Sequence, residues 1–489
     1  MKILVVTGKL AEATVKEASK DLADVLKMDV EIAAFVTPGL LRQKKKKLES
    51  YDLVLVSGLV SADFRRLEEE IGVPIRLGPK DAIDLSFVLP FAEEIEFSFK
   101  TPACEILSLK RNQDALKRIN ELEKDAEPSF LLRDLKIGGN SSMKVMGEIV
   151  DCMLMSEEEL DRKIKDYTSK GADVIDLGIG LDCDESDVKR AVEKAVSVSE
   201  VPISIDTSDT GSMLIGIECG VDLVLSLDLK SLEEVGEEIA DHDLPIVVVP
   251  DDSNGLLENV KLARSKGIEK IIADPILSPI GHGAIKSLVE YHEFRQHDRR
   301  TPLFFGVGNV TELIDVDSIG VNAVLAGLAM ELDASILFTP EYSDKAIGSI
   351  RELKTASQMM FLAKDRKSAP KDIGIDMLVV KEKRRRRGAK VESTDGLKVV
   401  HAQSKKGWKR DPCGSFKIYI DDGNICARNE EMVIVGRDAK EIFDTIVKYG
   451  SISLMEHAGY LGRELMRAEI ALRFGRSHVQ DDEHYHSSL

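Results

Sequence analysis

Between residues 130 and 363, short apolar runs alternate with longer amphipathic stretches, and three of the runs stop on an aspartate. Ala172-Asp-Val-Ile-Asp176-Leu-Gly178 does so, as do Val201-Pro-Ile-Ser-Ile-Asp206-Thr207 and Lys270-Ile-Ile-Ala-Asp274-Pro275. Each reads as a parallel strand that presents a carboxylate at its C-terminal end and then turns into a helix. One such Asp is a common helix N-cap. Three at matching places, spaced by about 30 residues or a multiple of it, read as βα units whose strand ends share one face. Further strands are expected at Lys144–Val150, Val221–Leu225 (before Ser226), Pro245–Val249, Pro302–Phe305 and Ser335–Phe338. Helical patterns such as Glu157–Lys170, Asp187–Ser197 and Asn254–Lys266 lie between them. Eight strands over about 200 residues predict a central (β/α)8 barrel.

The flanks have different periods. In residues 1–128, apolar runs at Lys2–Thr7, Val30–Val36, Asp52–Ser57 and Pro74–Leu77 alternate with helical stretches, one of them over Ala11–Lys27. This predicts a small doubly wound α/β domain. Thr7-Gly8-Lys9 and Ser57-Gly58 are strand-end turns without a dinucleotide fingerprint. The barrel is assigned to 129–365. Residues 366–489 read as an α+β domain, with strands at Ile375–Val380, Leu397–His401, Ser415–Ile420 and Met432–Val435. A hairpin turn is expected at Asp421-Asp422-Gly423-Asn424, with helices over Asp438–Tyr449 and Ser453–Phe474.

Length and composition narrow the class. A chain of 489 residues exceeds a single core. No apolar run approaches the length of a membrane span, and the strand-like start is not a signal peptide, so a cytoplasmic location is expected. A net charge of −19 argues against nucleic-acid binding. Six scattered cysteines lack metal-ligand spacing and read as reduced thiols, so no structural metal is expected. Arg384, Arg385, Arg386 and Arg387 stand out in an acidic chain, either as a solvated loop or as an anion site for a phosphate or polycarboxylate tail.

Val145-Met146-Gly147, Gly171-Ala-Asp-Val-Ile-Asp176-Leu-Gly178, Val201-Pro-Ile-Ser-Ile-Asp206-Thr207 and Asp274-Pro275, in that order, resemble the pterin-binding barrel of dihydropteroate synthases. Gly147-Glu148-Ile-Val-Asp151 and Gly306-Val-Gly308-Asn309-Val310 are similar to motifs of the methyltetrahydrofolate:corrinoid methyltransferases. The whole chain resembles the archaeal dihydropteroate synthase-related proteins. That resemblance implies a reduced pterin of tetrahydrofolate or tetrahydromethanopterin type as ligand, with a corrinoid or another methyl acceptor as partner. A homo-oligomer is also expected.

The chemistry of a pterin fits these residues. Its 2-amino and N3–H groups form a planar double donor, which one carboxylate accepts in a short, strong bidentate contact. Asp274 is the first choice for it. Asp206 would take the N1/N8 side, as the resemblance implies, and Asp176 would face the reacting substituent or hold a neighbouring side chain. Ser226 stands where the family usually has Asn, offering one hydroxyl instead of an amide. Asn309 would donate to the N5 region. Asp151 stands where the methyltransferases carry Asn.

The departures bear on the reaction. A synthase that expels pyrophosphate needs cations beside the leaving group. Where the family places Lys after the seventh strand and Arg-x-His after the eighth, this chain has Val310, Phe338 and Pro340. His282, or a Mg2+ held by Asp151 or Asp176, would supply only part of that charge. Three readings follow: a pterin-dependent one-carbon (methyl) transferase, a dihydropteroate synthase-type condensation with an arylamine, and a pterin carrier without catalysis. The first fits the retained aspartates and Asn309 best.

Overall fold

The computed structural model describes residues 1–180, 183–251, 255–383, 398, 400–403 and 409–481. They form two compact units, 1–390 and 391–489. The first opens with a parallel four-stranded sheet of β1 (Ile3–Thr7), β2 (Asp24–Lys27), β3 (Leu53–Val56) and β4 (Ile75–Leu77), in the order β2-β1-β3-β4. The second strand is not the apolar run Val30–Val36. The first helix stops at Ser19, Lys20 takes a positive φ, and Asp24–Lys27 then pairs with Leu4–Thr7. Val36 is buried, but residues 30–36 form turns whose carbonyls accept from the Lys9 and Leu10 amides. A short apolar run cannot distinguish a strand from a packed loop.

A hairpin of β5 (Phe130–Leu132) and β6 (Leu135–Ile137) then leads into eight parallel strands. These are β7 (Lys144–Ile149), β8 (Val174–Gly178), β9 (Ile203–Asp206), β10 (Leu223–Leu227), β11 (Ile246–Val248), β12 (Ile271–Ala273), β13 (Phe304–Gly306) and β14 (Ile336–Thr339). They run side by side, with β14 between β13 and β7. A parallel bridge between Ala273 and Leu303, with the Ala273 amide 2.9 Å from the Pro302 carbonyl, closes the ring. The fold is a (β/α)8 barrel.

Strand alternation sorts its side chains into two cores. Met146, Val174, Leu223, Leu225, Val247, Ile272, Phe304 and Ile336 fill the interior, and the hairpin's Leu132 and Ile137 join them. The other parity, including Val145, Ile175, Ile205 and Leu337, packs against the helices. Helices Ala103–Asp125 and Ser349–Arg366 pack together, and Ile373 and Ile375 join Ala115, Ile119, Met359 and Leu362 there. The expected strand Ile375–Val380 does not form. Ile375 is buried, but Leu378, Val379 and Val380 are exposed, and the run has no partner strand among the described residues.

In the second unit, β15 (Lys417–Asp421), β16 (Asn424–Arg428) and β17 (Val433–Gly436) form an antiparallel sheet packed by helices Ala439–Lys448 and Met455–Arg473. The turn between β15 and β16 has positive φ at both Asp422 and Gly423, the conformation an Asp-Gly hairpin favours. Arg384–Arg387, together with Leu397 and Val399 of the expected strand Leu397–His401, lie outside the described residues, and Lys398, Val400 and His401 are not in a strand.

The Asp411 carboxylate joins the chain before β15 to the start of the last helix. It accepts from the amides of Cys413, Ser453 and Leu454 at 3.0 Å, from the Ser453 hydroxyl, and from His457 Nδ1 at 3.0 Å. These bonds hold its pKa far below the usual carboxylate range, against the cost of burial. Asp411→Ala strands these donors and is expected to speed amide exchange in the last helix by roughly tenfold or more at neutral pH. Because the native carboxyl is the stronger acid, its stabilisation is present above about pH 4 and fades as pH falls. Mass-spectrometric exchange at pH 7 and pH 3.5 checks both effects; equal rates in the two proteins at pH 7 would dismiss the role.

Candidate functional site

Inward-facing positions at the C-terminal ends of the strands carry acids instead of the aliphatic residues found lower in the barrel. Glu148 lies two residues beyond Met146 on β7, Asp176 two beyond Val174 on β8, and Asp274 two beyond Ile272 at the end of β12. Glu148 pairs in register with Asp176, and Asp206 with Gly178. None of the three strand-end aspartates caps a helix. The following helices are preceded by Asp184, Asp209 and Gly283, of which the two aspartates accept helix-start amides from Ser186 and Ser212. The common capping explanation therefore fails at all three places.

Asp274 is buried and accepts from the Ile276 amide at 2.8 Å. Its Oδ1 is 2.9 Å from the hydroxyl of Tyr291, which is also 2.8 Å from the Phe304 carbonyl. One hydroxyl hydrogen cannot fully serve both acceptors. A protonated Asp274 donates to Tyr291, which then donates to Phe304; an ionised Asp274 takes the Tyr291 hydrogen instead. Burial raises the Asp274 pKa to about 6, with the two hydrogen bonds opposing.

Asp206 accepts from the Ser226 hydroxyl at 3.3 Å, and burial raises its pKa. Asp176 lies deeper than a strand end, because β8 continues to Gly178. It is fully buried, its Oδ1 accepting from the Ser204 hydroxyl at 2.5 Å while its Oδ2 has no partner among the described residues. Burial, then the charges of Asp206 and Glu148, raise its pKa well above the usual range. Asn309 is held against Gly306 and gives one amide hydrogen to the Leu277 carbonyl at 2.9 Å. Asp151 is exposed just after β7, in the left-handed conformation, beside a depression lined by Leu154, Arg162, Lys163 and Tyr342.

Sequence reasoning passed over Glu148, Ser204 and Tyr291 as site residues. The alternation Lys144, Met146, Glu148 was a usable signal for the first, since it continues the interior parity. Tyr291 comes from a helix 17 residues beyond Asp274, where no local pattern points to the strand end. Burial, then Asp206, Asp151 and Glu312, push Glu148 up to about 7. Among the described residues none of the four carboxylates forms an ion pair with Lys or Arg, and no cluster of three potential ligands is arranged to hold a metal. His282 is exposed in the loop after β12.

This acid cluster makes the ligand-free barrel sensitive to pH. Glu148 has a higher pKa folded than unfolded, so its contribution is fully present below about pH 4.5 and is lost as pH rises through 7. The loss is on the order of 2 kcal/mol after allowance for partial solvation. Urea unfolding of the full chain is expected to show stability falling between pH 5 and 7.5, with Glu148→Gln flattening the slope. A profile unchanged by the substitution would show that Glu148 ionises freely.

Residues 410–481 match the family described as PterinBD-DUF4346, and residues 1–80 match a family of unknown function, DUF6513. A subunit of the acetyl-CoA decarbonylase/synthase complex (gamma 2) from Methanosarcina thermophila is 23% identical over 273 residues, 48% of this chain and 56% of that subunit. The dihydropteroate synthase of Yersinia pestis, solved with a pterin–sulfa conjugate, is similar over 48% of this chain and 98% of its own, at 19% identity and a TM-score of 0.39. The uncharacterized protein MJ0107 of Methanocaldococcus jannaschii is 39% identical over 520 aligned positions, covering 98% of both chains. At that identity and coverage this chain belongs to the same family as the Methanocaldococcus protein.

Proposed function

We propose that the barrel mouth binds a reduced pterin of tetrahydrofolate or tetrahydromethanopterin type and passes its one-carbon (methyl) group to a nucleophilic acceptor. One observation carries the reading. Glu148, Asp176, Asp206 and Asp274 converge at the strand ends, and their observed side-chain partners are the hydroxyls of Ser204, Ser226 and Tyr291. Such a site suits a ligand rich in N–H donors and disfavours an anion. The unpaired Oδ2 of Asp176 is a buried polar atom left for a ligand to satisfy. The description of the family matched at 410–481 supports a pterin, and the likeness to a decarbonylase/synthase subunit supports a one-carbon setting.

In this reading Asp274 takes the 2-amino and N3–H edge, Asp206 with Ser226 takes the N1/N8 side, and Asp176 meets the ring with its free oxygen. A methylated reduced pterin supplies an activated methyl on N5. When the N5–methyl bond breaks, its electron pair stays on nitrogen and the methyl moves to the acceptor, a reduced corrinoid or a thiolate. The remaining amide hydrogen of Asn309 donates toward that nitrogen. The test is transfer from a 5-methyl-tetrahydropterin to cob(I)alamin or a thiol by the full-length protein, followed by absorbance and mass spectrometry. Enzyme-dependent methylation that falls in Asn309→Ala supports the reading. Pterin binding without transfer to either acceptor would favour a carrier.

A further inference from the structure

The N-terminal sheet holds a second cleft, apart from the barrel mouth. In the order β2-β1-β3-β4, the chain leaves β1 to one side and returns to its other side, so the connections diverge between β1 and β3. Open parallel sheets bind ligands at such a switch point, beyond the carboxyl ends of the strands. Here that place holds a cavity of about 180 Å3, reached by Thr7 at the end of β1 and Leu10 after it, Ile32 after β2, Ser57 and Leu59 after β3, and Lys80 after β4. Two glycines in the adjoining turns let its loops approach closely. A Cβ on Gly8 would stand 2.7 Å from the Glu31 carbonyl oxygen, and one on Gly58 would stand 2.6 Å from that of Gly78. Side chains at either position would force the loops apart.

The walls set the chemistry. Val5, Val15, Leu55 and Leu85 form a buried apolar interior, and Leu10, Ile32 and Leu59 form an apolar lip at 48%, 46% and 58% exposure. The two charged lining residues are each paired, Glu31 with Lys9 at 3.1 Å and Lys80 with Glu105 at 2.6 Å. An apolar cavity of roughly 150 Å3 suffices for benzene. We propose that this cleft is a binding site for an uncharged small molecule with an apolar body about the size of one aromatic ring. The hydroxyls of Thr7 and Ser57 offer it at most a polar end contact.

The test uses the full-length protein with labelled Leu and Val methyls, titrated with toluene and with benzoate and followed by NMR. Toluene is expected to give saturable shifts at Val5, Val15 and Leu55, and benzoate to bind at least tenfold more weakly. Ala34→Phe and Ala11→Leu are expected to weaken toluene binding tenfold or more, with unchanged barrel methyls reporting the fold. Absence of saturable shifts with toluene would overturn the site. So would toluene affinity unaltered in either folded variant. Benzoate binding as tightly as toluene would overturn the ligand class.

Discussion

Asp274→Asn is expected to weaken reduced-pterin binding by about 2–4 kcal/mol, roughly 30- to 1,000-fold. The substitution keeps the shape and replaces one acceptor oxygen with a donor. In the proposed pose that donor faces another donor, while the remaining oxygen still has the Ile276 amide and Tyr291 hydroxyl beside it. The variant also removes a pH dependence. Ligand-free Asp274 titrates at about 6, and binding needs its carboxylate. Wild-type affinity should therefore fall about tenfold per pH unit below 6, and the variant's much less. Calorimetry across pH 5–8 checks both; equal affinities at pH 7.5 would remove Asp274 from the pterin contact.

Turnover of 6-hydroxymethyl-dihydropterin pyrophosphate with an arylamine is expected to stay marginal. The leaving group carries roughly three negative charges, and each well-placed donor lost from such a site costs about 3–4 kcal/mol, a hundredfold or more in rate. Val310 is buried where the resemblance implies Lys, and Phe338 and Pro340 stand where it implies Arg and His. The following residue, Glu341, is buried, is paired with Lys170 at 2.8 Å and accepts from the Ile350 amide. The acids at the mouth add repulsion instead of relief. A pyrophosphate-release assay with Mg2+ on the full chain is the check. Robust arylamine-dependent release would reverse the order of the two readings.

The barrel was legible because parallel strands buried on both faces read as near-continuous apolar runs, and each turn beyond them is marked. Asp206 and Asp274 were legible because a carboxylate ending such a run interrupts the pattern. The depth of Asp176 was less so. Leu177 and Gly178 extend β8 past it, which its following loop signal did not reveal. Glu148 escaped notice inside a motif read for its glycine and its final Asp151, although Asp151 is exposed just after β7. Elsewhere, Val30–Val36 and Ile375–Val380 had strand composition without strand partners. Pairing is a long-range property that local composition cannot supply.

The most direct test of the central claim is a calorimetric titration of the full-length protein with a tetrahydropterin under anaerobic conditions, at pH 7.5 and pH 5.5. Binding to the barrel acids predicts one site with a Kd of about micromolar or tighter at pH 7.5. It also predicts weaker binding with net proton release at pH 5.5, as Asp274 gives up its proton. Absence of binding at both values, or binding of equal strength without proton release, would contradict it.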